Sequence, residues 1–151
     1  MKKLIILLFI SILSLSSINA KAKSITLGWA AWDPANALQE LTKEFTAETG
    51  IDVNFEFVPW PNFADRMLNE LNNKGKTFDL LIGDSQWIGA GAVYGHYVKL
   101  NDFFNKEGIS MNDFSPATVY AYSTWPKGSE NYYALPAMGD ALAWAYRKDW
   151  F

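Results

Sequence analysis

The spacing of apolar residues between positions 25 and 82 switches repeatedly between that of a strand and that of a helix. This alternation limits the possible folds more than any other feature of the sequence. Apolar and polar residues alternate over 25–29 and 51–57, which predicts two strands. A third apolar run, 78–82, predicts a buried strand, and segments of helical spacing separate the three. Strand, helix, strand, helix, strand within about sixty residues is typical of an α/β fold with a doubly wound, parallel sheet.

Both predicted helices have recognisable ends. Asp33 followed by Pro34 is typical of an N-cap and a first helical residue, and Gly50 is a typical C-cap. The second helix is predicted to begin at Pro61, with Gly75 suited to cap its end. The apolar face of the first helix consists of residues three and four apart: Leu38, Leu41 and Phe45.

The pattern after position 88 is weaker. "KLNDFF" predicts a short helix opened by Asn101 or Asp102, and Ser115-Pro116 predicts another that runs through Tyr122. Residues 132–135 and 141–146 are predicted to be strands, and 147–151 the start of a helix. Because "ALAWAY" is apolar on both faces, we expect a partner or further sequence to cover it.

Residues 1–20 are predicted to be a signal peptide. Lys2 and Lys3 precede an apolar stretch, 4–15, that is too short to cross a membrane. The segment ends in a small residue, Ala20, where cleavage is predicted. We therefore expect export to the periplasm.

Charge and composition exclude several kinds of function. Without residues 1–20 the chain keeps 11 of its 13 basic residues against 16 acids, a net charge of about −5. With no basic cluster, this balance disfavours nucleic acid as a partner. Cys is absent and His96 is the only histidine, so disulfides, thiol catalysis and zinc are not expected. No Asp-rich loop has calcium-ligand spacing, and we expect neither a metal nor a cofactor.

Three loops leave the carboxyl ends of the predicted parallel strands, where ligands bind in open α/β sheets. "AAWDP", "PWPNF" and "GDSQW" follow the first, second and third strands, and each contains a Trp. The residues that these loops and one later loop offer to a ligand are Trp32, Asp33, Trp60, Asp84, Ser85, Gln86, Trp87 and Asp140.

Aromatic faces beside carboxylates, amides and hydroxyls suit a polyhydroxylated ring, whose C–H faces stack while its hydroxyls form hydrogen bonds. Purely structural roles are alternatives to ligand binding for several of these residues. Asp33 would serve equally as a helix cap, Asp84 and Ser85 as turn residues, and Trp60 as a rigid corner between prolines. Asp140 is either a turn residue or a ligand contact.

Two other functions stay open. A polyamine suits the same aromatic and acidic residues, through cation–π contacts and carboxylates. More distantly, Asp33, Asp84 and Asp140 could supply the carboxylate pair of a secreted glycosidase, although the sequence does not determine their separation. No P-loop, GxGxxG motif or complete Ser-His-Asp set supports another reaction.

Four features occur in order along the chain: the signal peptide, "ITLGWAAWDPANALQELTKEFTAETGIDVNFEFVPW", "KTFDLLIGDSQW" and "YYALPAMGDALAWAYRKDWF". Together they resemble the extracellular solute-binding proteins of ABC importers, family 1, the sugar-binding, maltose-binding-protein-like group. The resemblance covers nearly all of the chain after the signal peptide.

This resemblance implies a periplasmic-binding-protein-like (type II) fold, in which two lobes close by a hinge on a ligand in the cleft. The loops that would face the cleft are 29–34, 60–63, 84–87 and 136–140, which adds Phe63 to the predicted site. Family members are more than twice this length. We therefore expect 21–140 to be the N-terminal lobe and 141–151 to be a crossing strand and helix start, leading to a second lobe missing from this sequence.

The combined prediction is a non-catalytic, monomeric binding protein that delivers a carbohydrate to the membrane permease of an ABC importer. Trp32 and Trp87 would stack on the sugar. Asp33, Asp84 and Gln86 would form hydrogen bonds with its hydroxyls.

Overall fold

A three-stranded parallel sheet with flanking helices organises the first half of the chain. The computed structural model describes residues 23–140 and 144–150. The predicted signal peptide and its predicted cleavage point, residues 141–143 of the predicted crossing strand, and Phe151 lie outside the described residues. The elements of this half are β1 (Lys23–Ala30), α1 (Asp33–Thr49), β2 (Ile51–Val58), α2 (Trp60–Asn72) and β3 (Leu80–Leu81). The strand order is β2-β1-β3, so the predicted α/β class is confirmed.

The second half consists of short helices joined by irregular chain. Three α-helices are α3 (Ile88–Val93), α4 (Asn101–Glu107) and α5 (Pro116–Tyr122). Single 3₁₀ turns lie at Ser85–Trp87, Met111–Asp113 and Lys148–Trp150. The helices predicted at Asn101 and from Pro116 to Tyr122 are confirmed. No helix in the described ranges is both long enough and apolar enough to cross a bilayer.

Strand register aligns the carboxyl ends of β1 and β2. Lys23 pairs with Ile51 and Ala30 with Val58, while β3 pairs with Leu27 and Gly28 of β1. β3 is shorter than the predicted 78–82, although the Asp79 amide still donates to the Thr26 carbonyl at 2.9 Å. The Thr26 amide donates to the Asp79 carboxylate at 2.8 Å, so a side chain takes the place of a strand carbonyl.

Three of the predicted helix ends differ in detail. α2 begins at Trp60, one residue before the predicted Pro61. α1 has Trp32 at its N-cap and Asp33 as its first helical residue, and no side chain caps it. The Asp33 carboxylate still suits this first turn, because the helix dipole is positive there. Gly50 does end α1, with φ of 69° and its amide donating to the Thr46 carbonyl at 2.9 Å.

At the end of α2 the left-handed residue is Lys74, with φ of 49°, and not the predicted Gly75. The Lys74 amide donates to the Leu71 carbonyl at 3.1 Å and the Gly75 amide to the Glu70 carbonyl at 2.9 Å. This is the hydrogen-bond pattern of a Schellman motif. Gly75 therefore occupies the position after the left-handed residue.

The main hydrophobic core lies between the sheet and α2. Its buried members are Leu27, Trp29, Ala30, Ala35, Val58, Phe63, Met67 and Trp87. The predicted apolar face of α1 is only partly covered, since Leu41 is 63% exposed and Phe45 is 39% exposed.

The strand predicted at 132–135 is absent, and a single antiparallel bridge joins Tyr132 to Thr124. Neighbouring helices take up its backbone groups instead. The Tyr132 carbonyl accepts from the Leu100 amide at 2.8 Å, and the Tyr133 amide donates to the Ser123 carbonyl at 2.8 Å. In the described part of 141–151, residues 144–147 are irregular, and the predicted helix start is the 3₁₀ turn Lys148–Trp150.

Candidate ligand-binding site

Three loops meet at the carboxyl end of the sheet, as the strand order predicts. The Ala31 amide donates to the Val58 carbonyl at 2.8 Å, so the loops after β1 and β2 leave side by side. The Ile82 amide donates to the Gly28 carbonyl at 3.0 Å, which brings the loop after β3 to the same edge. The backbone itself therefore assembles residues 31–33, 59–63 and 82–87 into one surface.

An aromatic ladder, formed by Trp60, Phe63 and Trp87, crosses from the second loop to the third. The rings of Trp60 and Phe63 are stacked with centroids 5.7 Å apart, because the two residues lie one turn apart at the start of α2. Phe63 and Trp87 follow at 5.4 Å. Trp60 is 67% exposed, whereas Phe63 is 3% and Trp87 8% exposed. The ladder therefore presents one open face, on Trp60, supported by two core residues.

This burial changes the roles within the predicted site. Trp87 was expected to stack on a sugar, but its ring packs against Phe63 in the hydrophobic core. A stacking residue needs a free face, and in this surface Trp60 supplies it. Phe63 and Trp87 determine where that face lies.

Trp32 forms a second aromatic contact at the end of β1. Its ring meets that of Trp29 edge to face, with centroids 5.6 Å apart. Trp29 is buried and Trp32 is 38% exposed. Sequence reasoning missed Trp29 as the support for Trp32, although its position next to the end of β1 was a usable signal.

The third loop holds its polar groups in a turn. The Asp84 carboxylate accepts from the Gln86 amide at 3.1 Å through Oδ1, and the Ser85 hydroxyl lies 3.4 Å from the same oxygen. The turn role considered for Asp84 is therefore present, and Oδ2 is left for another donor. Gln86 is exposed, and its side-chain amide has no hydrogen-bond partner among the described residues.

Tyr97 is a further residue behind this loop that the sequence did not reveal. Burial, and secondarily the negative charge of Asp84, raise the pKa of the Tyr97 phenol. The phenol is therefore a neutral group beside the Asp84 carboxylate at physiological pH.

The other two predicted acids are less closely tied to this surface. Asp33 is exposed on the first turn of α1, beside Trp32. Asp140 is exposed in irregular chain and forms no hydrogen bond or ion pair with the described residues. Within residues 23–140 and 144–150, no cluster of three His, Cys, Asp or Glu side chains could hold a metal ion.

The chain belongs to the bacterial extracellular solute-binding protein family, whose model matches residues 31–151. Binding proteins of Brucella abortus and Brucella suis are 29% identical to it over 147 residues. The match covers 94% of this chain and 33% of each relative. The chain thus spans about a third of the length of the curated relatives it matches.

Two solved structures share the fold. One is an ABC transporter solute-binding protein from Agrobacterium radiobacter in complex with ribitol, with a TM-score of 0.63 and 24% identity. That match covers 73% of this chain and 27% of the other. A periplasmic solute-binding protein from Pectobacterium atrosepticum gives a TM-score of 0.54 at 18% identity, covering 70% and 26%. The parallel sheet and helices therefore have the solute-binding-protein fold, and the match covers about a quarter of each of these two structures.

Proposed function

We propose that this chain is the N-terminal lobe of a periplasmic protein that binds a carbohydrate and delivers it to the permease of an ABC importer. The observation that carries the proposal is the open face of Trp60, which ring contacts through Phe63 and Trp87 connect to the Asp84–Gln86 turn. Export by a signal peptide, a monomeric state and a non-catalytic role belong to the same proposal. Family membership supports it, because the family consists of solute-binding proteins.

The chemistry of the surface favours a polyhydroxylated ligand. Trp60 offers an indole face to the C–H side of a ring, and its position is fixed by Phe63 beneath it. Asp84 Oδ2 can accept from a hydroxyl, while the Gln86 amide can both accept and donate. Ribitol, the ligand of the Agrobacterium neighbour, is a polyol, which agrees with this donor and acceptor set.

Binding is tested most directly by calorimetry on the exported protein produced from its native gene, with ribitol and a panel of neutral sugars. Trp60→Ala is expected to weaken binding by about 1–3 kcal/mol through lost stacking and burial. Phe103→Ala is the control, because Phe103 is an exposed aromatic residue on α4. Unchanged affinity in Trp60→Ala would remove Trp60 from the site.

A polyamine is the second candidate, because Asp33 and Asp84 are carboxylates next to indoles. The affinity for a charged amine should fall steeply as ionic strength rises, whereas that for a neutral sugar should barely change. A steep salt dependence with spermidine, and no response to sugars, would replace the carbohydrate proposal.

A secreted glycosidase is the distant alternative. Incubation of the exported protein with an oligosaccharide, followed by mass spectrometry, should recover the oligosaccharide intact. Cleavage products that disappear in Asp84→Asn would establish catalysis instead.

A further inference from the structure

An open cavity of about 420 Å³ lies between Ser85–Gln86, α3 and the loop at 125–127. Its size falls within the range of small-molecule sites. Ser85 and Gln86 line it, so it adjoins the surface described above. The aromatic and charged residues that also line it are Tyr94, Trp125 and Lys127.

The wall formed by Trp125 is held against α3. A Cβ atom at Gly89 would lie 2.9 Å from carbons of the Trp125 ring, closer than such atoms approach each other. Glycine at position 89 therefore lets the indole rest directly on the helix backbone. The Trp125 amide donates to the Asn131 carbonyl at 3.2 Å, which fixes the chain behind the ring. This wall of the cavity is therefore preformed.

Among the described residues that line the cavity, Lys127 alone has a cationic side chain. Its ammonium group donates to the Ala121 carbonyl, and no acidic side chain in the described part of the chain pairs with it. The Lys127 side chain is exposed, and partial desolvation lowers the pKa of its ammonium group. An anionic group at this place would gain a charge-assisted hydrogen bond.

We propose that this cavity is a subsite for a sugar unit that carries a carboxylate. This inference rests on the carbohydrate function proposed above. The carboxylate of a uronate unit would pair with Lys127, and the sugar ring of that unit would lie along Trp125. Gln86 would contact the neighbouring sugar unit, which would also lie on Trp60. The substrate class is then an acidic saccharide and not a neutral one.

The experiment compares matched neutral and acidic sugars on the exported protein made from its native gene. The probes are glucose with glucuronate, galactose with galacturonate, and cellobiose with its uronate form, all measured by calorimetry. The acidic member of a pair is expected to bind about tenfold more tightly or better, as a charge-assisted hydrogen bond implies. Lys127→Met should bring the two affinities together, and Lys106→Met, an exposed lysine on α4, should preserve the difference.

Three results would overturn the subsite. Equal affinities for both members of every pair, or a preference that survives in Lys127→Met, would exclude it while leaving carbohydrate binding intact. Failure of every sugar to bind would overturn the proposed function and the subsite with it.

Discussion

Residues 23–87 and 88–140 are stabilised in two different ways. The first region forms a sheet whose backbone groups pair strand to strand, and it contains the main core around Met67. The second has no strand ladder, and single side chains bridge segments far apart in sequence. Asn101 is the clearest case, since its side chain donates to the Glu130 carbonyl at 2.7 Å and accepts from the Tyr132 amide at 3.0 Å. Periodic patterns therefore describe the first region, whereas individual polar contacts define the second.

The largest expected effect comes from breaking the core of the first region. Met67 is fully buried at 0% exposure on α2. Met67→Ala should lower the free energy of unfolding by about 2–5 kcal/mol, because it leaves a cavity between helix and sheet. Urea denaturation of the exported protein measures the loss. Leu41→Ala, at a 63% exposed position of α1, is the matched control, and an equal loss there would refute the location of the core.

The next effect tests the polar bridge of the second region. Asn101→Ala removes both hydrogen bonds and should cost about 1–3 kcal/mol, since it leaves backbone groups near Tyr132 without partners. Hydrogen exchange should accelerate at Tyr132 and Leu100 while the sheet amides keep their protection. Asn105→Ala, on the exposed side of the same helix, should change neither. Uniform acceleration across both regions would contradict their independent stabilisation.

The smallest effect concerns an ion-pair network that ties β2 to α2. Arg66 binds Glu56 at 2.9 Å and Glu70 at 3.0 Å. The pKa of Glu70 lies below its ordinary value, first because the carboxylate accepts from the Thr77 amide and then because of Arg66. A depressed carboxyl pKa contributes stability that is present above the ordinary value and is lost as pH falls through the folded-state value.

Glu70→Gln should therefore lower the urea midpoint at about pH 7, and the difference should shrink as the pH falls below the ordinary carboxyl pKa and the wild-type carboxylate takes up a proton. Glu44→Gln is the control, because Glu44 is exposed on α1 and has no ion pair with the described residues. A deficit in Glu70→Gln that stays constant over this pH range would show that the charge is not responsible.

Prediction from sequence succeeded where one local pattern decides the structure. Gly50 ends α1 because a left-handed residue there needs no Cβ, and the alternation over 51–57 produces β2. It was wrong for 132–135, where the strand preference of the two tyrosines is overridden by hydrogen bonds to Leu100 and Ser123. β propensity indicates a suitable surface, but a strand also needs a neighbour to pair with.

The candidate site, too, was only partly predictable from the sequence. The loops at 32–33, 60–63 and 84–87 were predictable because parallel strands bring their carboxyl ends to one edge. Exposure was not predictable, and burial changes Trp87 from an expected stacking residue to a support for Trp60. Trp125 and Lys127 are about forty residues from Ser85 in sequence, so no local motif joins them to the cavity.

The sequence by itself determined the α/β class, the order of the first five elements and the loops that carry the polar and aromatic groups. These depend on hydrophobic period and turn chemistry, which act over a few residues. Only the tertiary structure decided which aromatic ring faces solvent, which segments lose their predicted strand, and which residues line the cavity beside Ser85 and Gln86. Those outcomes depend on packing and hydrogen bonding between distant segments, which compete for the same surface and backbone groups.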